Sequence, residues 1–112
     1  MEVTFANAKL EKLCNSEKNL RKKFGPQMVR KIQRRLTDLS AAANLAVMRT
    51  LPGNCHDLRE NWSGHFALDL EQPDRLVCRP INDPLPINDS GQLDWGKVTK
   101  IEVVWIGDYH KK

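Results

Sequence analysis

The stretch "WSGHFALDL", residues 62–70, decides how the rest of the chain is read. Phe66, Leu68 and Leu70 alternate with Ala67 and Asp69, so the large apolar side chains fall on one side of an extended segment. A strand with one face in a core is implied. Downstream, Gln72-Pro73-Asp74 has turn chemistry and "RLVCRPI", from Arg75, is a second strand, so the two are expected to form a hairpin.

Upstream of this stretch the period is helical. Met28, Ile32, Leu36, Leu39 and Ala43 recur at spacings of four, four, three and four, an apolar stripe expected to face the core. Arg30, Lys31, Arg34 and Arg35 lie off it. Pro26 suits the first turn of this helix, because its missing N–H would have no intrahelical partner there. Before it, Asn7 is placed to cap a helix over Ala8–Cys14, and Ser16 to cap a further turn reaching Phe24. Glu2–Phe5 reads as a short opening strand, and residues 44–50 as one more helical turn before Leu51-Pro52-Gly53 breaks the chain.

Towards the C-terminus, "NDPLPINDSGQLDWG" at residues 82–96 has little strand or helix signal and is expected to be a long loop. The last strand is expected over residues 97–107. Helices early and strands late predict an α+β fold: an N-terminal strand and two or three helices packed on one face of a four-stranded, mostly antiparallel sheet. With 112 residues, the chain is expected to be a single domain, residues 1–112, carrying a loop insertion at about 82–96.

An apolar fraction of 40% and a charged fraction of 29% suit a soluble globular protein. No apolar run approaches the ~18 to 20 residues of a membrane span, and the first residues lack the layout of a signal peptide. A cytoplasmic protein with no membrane partner is expected. Cys14, Cys55 and Cys78 are odd in number and widely spaced, unlike a disulfide framework or a zinc site, and read as buried thiols. Charge is unevenly distributed. Residues 1–50 carry eleven Lys or Arg against four acids, whereas residues 51–112 carry seven against ten. Such asymmetry points to a polyanionic partner, and on its own fits either a solvated helix face or a plain basic nucleic-acid-binding module.

Gly-rich phosphate loops, His-Glu-x-x-His, Gly-x-Ser-x-Gly and paired-cysteine motifs are absent from the sequence. Any chemistry is therefore expected to run on side chains alone, with no cofactor and no metal. His56 lies in "NCHDLREN", near Arg59. Arg75 and Arg79, four apart in a strand, share a face and can hold a phosphate. The final strand delivers Asp108, Tyr109 and His110 to the end of the chain, followed by Lys111 and Lys112. Imidazole, phenol, carboxylate and guanidinium are the set needed for metal-free RNA cleavage. One group removes the 2′-OH proton, another protonates the leaving 5′-oxygen, and arginines neutralise the phosphorane.

In this order the residues resemble the HigB branch of the RelE/ParE superfamily, the toxins of type II toxin–antitoxin modules. The resemblance is carried by the opening strand with "AKLEKL" and "RKIQRRLTDL", by "LPGNCHDLRENWSGHFALDL", by "RLVCRP" and by the terminal "DYH". It covers nearly the whole chain apart from residues 82–96. It implies a RelE-like fold and a ribosome-dependent mRNA endonuclease. His56, Asp108, Tyr109, His110 and Arg75 would be its catalytic residues, and Arg59, Arg79 and Lys111 would bind RNA. His56 and His110 would transfer protons, Tyr109 would orient or stack on a base, and Asp108 would fix an imidazole or contact RNA. The implied partners are the ribosome and mRNA, and a HigA-like helix-turn-helix antitoxin, with operator DNA bound only through the antitoxin complex. The same scaffold also occurs in ParE-like gyrase inhibitors, which are not enzymes.

Overall fold

The computed structural model describes residues 1–111; Lys112 and the side chain of Lys111, to which RNA binding was ascribed above, lie outside the described residues. Strand β1 spans Glu2–Phe5, and helices α1, α2 and α3 span Ala8–Cys14, Glu17–Lys23 and Pro26–Ala41. Their boundaries follow the expected caps. Asn7 accepts the Leu10 N–H at 2.8 Å, Ser16 Oγ accepts the Asn19 N–H at 3.1 Å, and Pro26 opens α3. Met28, Ile32 and Leu39 are buried and Leu36 half-buried, but the stripe stops sooner than its spacing suggested. α3 ends at Ala41 and the chain turns extended at Ala42, so Ala42 is buried and Ala43 is exposed.

Four more strands follow: β2 (His56–Asp57), β3 (Phe66–Asp69), β4 (Arg75–Pro80) and β5 (Lys100–Gly107). They form a five-stranded sheet ordered β1-β5-β4-β3-β2, in which β1 runs parallel to β5 and every other neighbour is antiparallel. The fold is thus the α+β arrangement expected, with one strand more than the four anticipated. The addition is β2, only two residues long, whose loop-like composition gives no periodicity to read. β5 also starts at Lys100 rather than at residue 97, because Asp94 Oδ1 accepts the Gly96 N–H at 3.2 Å and caps a 3-10 turn, Trp95–Lys97.

The sheet has two unlike faces. Leu20, Met28, Ile32 and Leu39 of the helices pack on Phe66, Leu68, Leu76, Cys78, Ile101 and Val103, the main core. On the other face a small cluster forms from Leu58, Ala67 and Val77, with Trp62, Trp105 and Tyr109 partly buried against it. Strict alternation along β5 would put Trp105 on the helix side with Val103. A bulge prevents this: Cys78 faces Val103 but Val77 faces Trp105, leaving Val104 as the extra residue. Beyond that point Trp105 belongs to the open face.

Residues 82–96 are a loop as expected, ordered by a backbone bridge between Ile87 and Leu93 and by side-chain bonds to nearby backbone. Asn82 Oδ1 accepts the N–H groups of Thr99 and Lys100, both at 3.1 Å, and Asn88 Oδ1 accepts those of Ser90 and Gln92 at 2.9 and 3.0 Å. Leu93 and Trp95 then pack against the main core.

Candidate active site

His56 reaches the open face through a turn that calls for glycine at position 53. Gly53 has φ +120°, and a Cβ there would stand 2.7 Å from Arg35 Nε. That nitrogen donates to the Asp69 carbonyl at 2.9 Å, while the Asp69 N–H donates to the Gly53 carbonyl at 2.7 Å. Asn54 follows at φ +50°, a conformation that Asn tolerates better than most residues. The turn sets β2 in register with β3, with His56 opposite Ala67 and so on the open face. His56 Nδ1 lies 2.6 Å from the Asn54 carbonyl. A carbonyl can only accept, so Nδ1 carries the proton and, in the neutral ring, Nε2 carries the lone pair.

The terminal residues are held from the same region. Gly107, at φ +150°, packs under the Trp105 ring and turns the chain out of β5; a Cβ there would meet that ring at 3.2 Å. Asp108 Oδ1 accepts the His110 N–H at 3.1 Å, which fixes the 3-10 turn Tyr109–Lys111. Trp62 Nε1 donates to the Tyr109 carbonyl at 3.3 Å, and the two rings meet edge to face at 6.3 Å. Tyr109 and His110 have ring centroids 4.3 Å apart.

His56, Arg59, Trp62, Tyr109 and His110 all line one open cavity of about 460 Å³. Residues 53 positions apart in sequence, His56 and Tyr109, are thereby brought together with a second imidazole and an exposed guanidinium. Such a hollow contains an acceptor and donors for protons, a cation for a phosphate and rings on which a base can stack. Glu60, at φ +56°, and Asp57 also line it and were not singled out in the sequence. Nor was Trp62, whose only sequence signal is its place in the Trp-Ser stretch that helps carry the resemblance. Its importance is tertiary, as the anchor of the tail.

The other expected residues lie elsewhere. Arg75 Nε is 2.8 Å from Asp69 Oδ1, and its terminal nitrogens donate to the Asp74 carbonyl at 3.0 Å and Gln72 Oε1 at 3.2 Å. Arg79 Nε pairs with Glu102 Oε1 at 2.9 Å. Neither arginine lines the His56–His110 cavity, and the Asp108 carboxylate serves as a cap beside it. His65 stands at the entrance to β3, its ring edge-on to Trp62 at 5.2 Å. Cys55 and Cys78 are buried as expected, whereas Cys14 is only half-buried; desolvation raises Cys14 to about 11, Cys55 to about 12, and Cys78 well above 9.0. They are not placed to act as nucleophiles.

The five-stranded sheet with its N-terminal helices has the fold of the YoeB/ParE toxins. One solved structure, from the YoeB-YefM complex of Staphylococcus aureus, is 18% identical over 96% of this chain and 94% of its own, with a TM-score of 0.55. Another, a YoeB/ParE toxin from Agrobacterium tumefaciens, is 15% identical over 96% of this chain and 98% of its own, with a TM-score of 0.56. At such identities the likeness is one of fold. No family model and no curated protein matches the sequence. Among the described residues no helix is long and apolar enough to cross a membrane.

Proposed function

We propose that this chain, as a single toxin domain over residues 1–112, is the toxin of a type II toxin–antitoxin module of the RelE/ParE superfamily and its HigB branch. Its activity is ribosome-dependent endonucleolytic cleavage of mRNA in the cytoplasm, which stops translation. The observation that carries this reading is the convergence of His56, Arg59, Tyr109 and His110 on one cavity. His56, with Nδ1 bonded to a carbonyl, is suited to take the 2′-OH proton on Nε2. His110 then protonates the leaving 5′-oxygen, Arg59 neutralises the phosphorane, and Tyr109 stacks on a base. Asp108 acts through the turn it caps, and Arg75 through the Asp69 side chain it holds. No step calls for a metal or cofactor.

The partner that restrains this activity is an antitoxin. One neighbour of similar fold was solved as a YoeB-YefM complex, and the sequence resemblance favours a HigA-like helix-turn-helix protein that alone carries the complex to operator DNA. The exposed basic residues of α2 and α3 suit either that antitoxin or ribosomal RNA. Gyrase inhibition of the ParE kind is the second reading, supported by the fold shared with a YoeB/ParE toxin. Inhibition by binding has no need of two imidazoles in one cavity. His56→Ala and His110→Ala, each verified as folded by circular dichroism, are expected to abolish growth arrest on induction. Arrest that persists in both, with a DNA-damage response and intact mRNA, overturns the nuclease reading in favour of the gyrase one.

A further inference from the structure

A second hollow adjoins the His56–His110 cavity. Its volume is about 630 Å³, and its walls come from the chain around His65 on one side and from residues 88–96 of the long loop on the other. Asp57 and Leu58 line both hollows, so one opens beside the other. Trp62 in the first meets His65 in the second edge to face, which continues the run of rings that starts at His110 and Tyr109. At the far wall the Arg49 guanidinium sits over Trp95, its carbon 3.6 Å from the ring centroid. Phe66 braces the same indole at 6.0 Å.

Arg49 is exposed, and among the described residues its guanidinium makes no hydrogen bond or ion pair. The cation–π contact holds the group against the ring and leaves its five N–H donors for a ligand. Two carboxylates share the hollow, which constrains what can enter. Asp94 is turned to the Gly96 N–H and lies 3.9 Å from Lys97, whereas Asp57 is exposed. A file of phosphates through the middle would be repelled. A base fits better, because carboxylates and the Gln92 amide can bond its edge while Arg49 holds its phosphate at the rim.

We propose that this hollow is a subsite for one nucleotide of single-stranded RNA flanking the reacting phosphodiester, with Arg49 as its phosphate and stacking contact and the long loop as its wall. The inference rests on the nuclease reading and says where the RNA strand continues. The test compares two fluorescein-labelled, 2′-O-methylated RNAs, a trinucleotide and a hexanucleotide, by anisotropy at low salt. The unaltered protein should bind the hexanucleotide more tightly. Arg49→Ala should lower that affinity about tenfold and leave the trinucleotide unchanged. Gln92→Trp, which fills the hollow from its exposed rim, should do the same and guards against a disturbed Trp95 in the first variant. No length advantage in the unaltered protein, or an unchanged ratio of the two affinities in both variants, overturns the subsite. The nuclease reading fails separately, if the His56 and His110 variants still cleave mRNA.

Discussion

The guanidinium of Arg75 is engaged on three sides, by Asp69, the Asp74 carbonyl and Gln72, and its side chain is only 18% exposed. Arg59, by contrast, is exposed and lines the cavity. The two arginines should therefore separate in experiment. Arg75→Ala leaves a half-buried carboxylate without its partner and should cost about 1–3 kcal/mol in urea unfolding. Arg59→Ala should change stability by less than about 0.5 kcal/mol, yet weaken mRNA cleavage. The sequence makes the two look alike, because a strand arginine and a loop arginine differ only in what the fold sets beside them. Asp69 faces Arg75 across the hairpin, and nothing in the spacing of the residues announces that pair. Trp62 makes the same point. Trp62→Phe keeps an aromatic ring but loses the bond to the Tyr109 carbonyl, so the tail amides should exchange faster with deuterium and growth arrest should weaken.

Elements whose signals are local were legible, and those set by distant contacts were not. Both N-caps, Pro26 at the start of α3 and the alternation of β3 act within a few residues, and each element begins where those residues dictate. β2 has two residues and exists because β3 offers it an edge. The bulge at Val104 is equally silent in sequence, since a run of Val, Val, Trp and Ile satisfies either parity, yet it decides which face receives Trp105. Leu-Pro-Gly breaks the chain, and its glycine also makes room for the Arg35 side chain. Gly53→Ala puts a Cβ into that side chain at an unfavourable φ and should destabilise the protein by about 1–3 kcal/mol in urea unfolding. Because the same turn sets the β2 register, the variant should also lose toxicity at temperatures where it remains folded.

At the scale of the whole molecule, two faces of one sheet divide the labour. The helix-covered face supplies the core, and the open face carries His56 and the small cluster on which Tyr109 packs. The desolvated thiols add a pH limit to the fold. Their folded values lie above 9.0, so the folded state keeps protons that the unfolded chain releases. Their contribution is complete below about pH 9 and declines as pH rises towards about 12. Urea midpoints should therefore fall above about pH 9, and the fall should flatten when Cys55 and Cys78 are both replaced by Ala. A midpoint as steep in that double variant as in the parent contradicts this account of the thiols. The open-face cavity is proposed to cleave mRNA on the ribosome. Mapping mRNA 5′ ends after brief induction, with translation running and with initiation blocked, tests it most directly. New ends within translated codons that vanish when initiation is blocked, and that are absent with His110→Ala, are the predicted result. Growth arrest with no new ends, or ends that persist without translation, contradicts the claim.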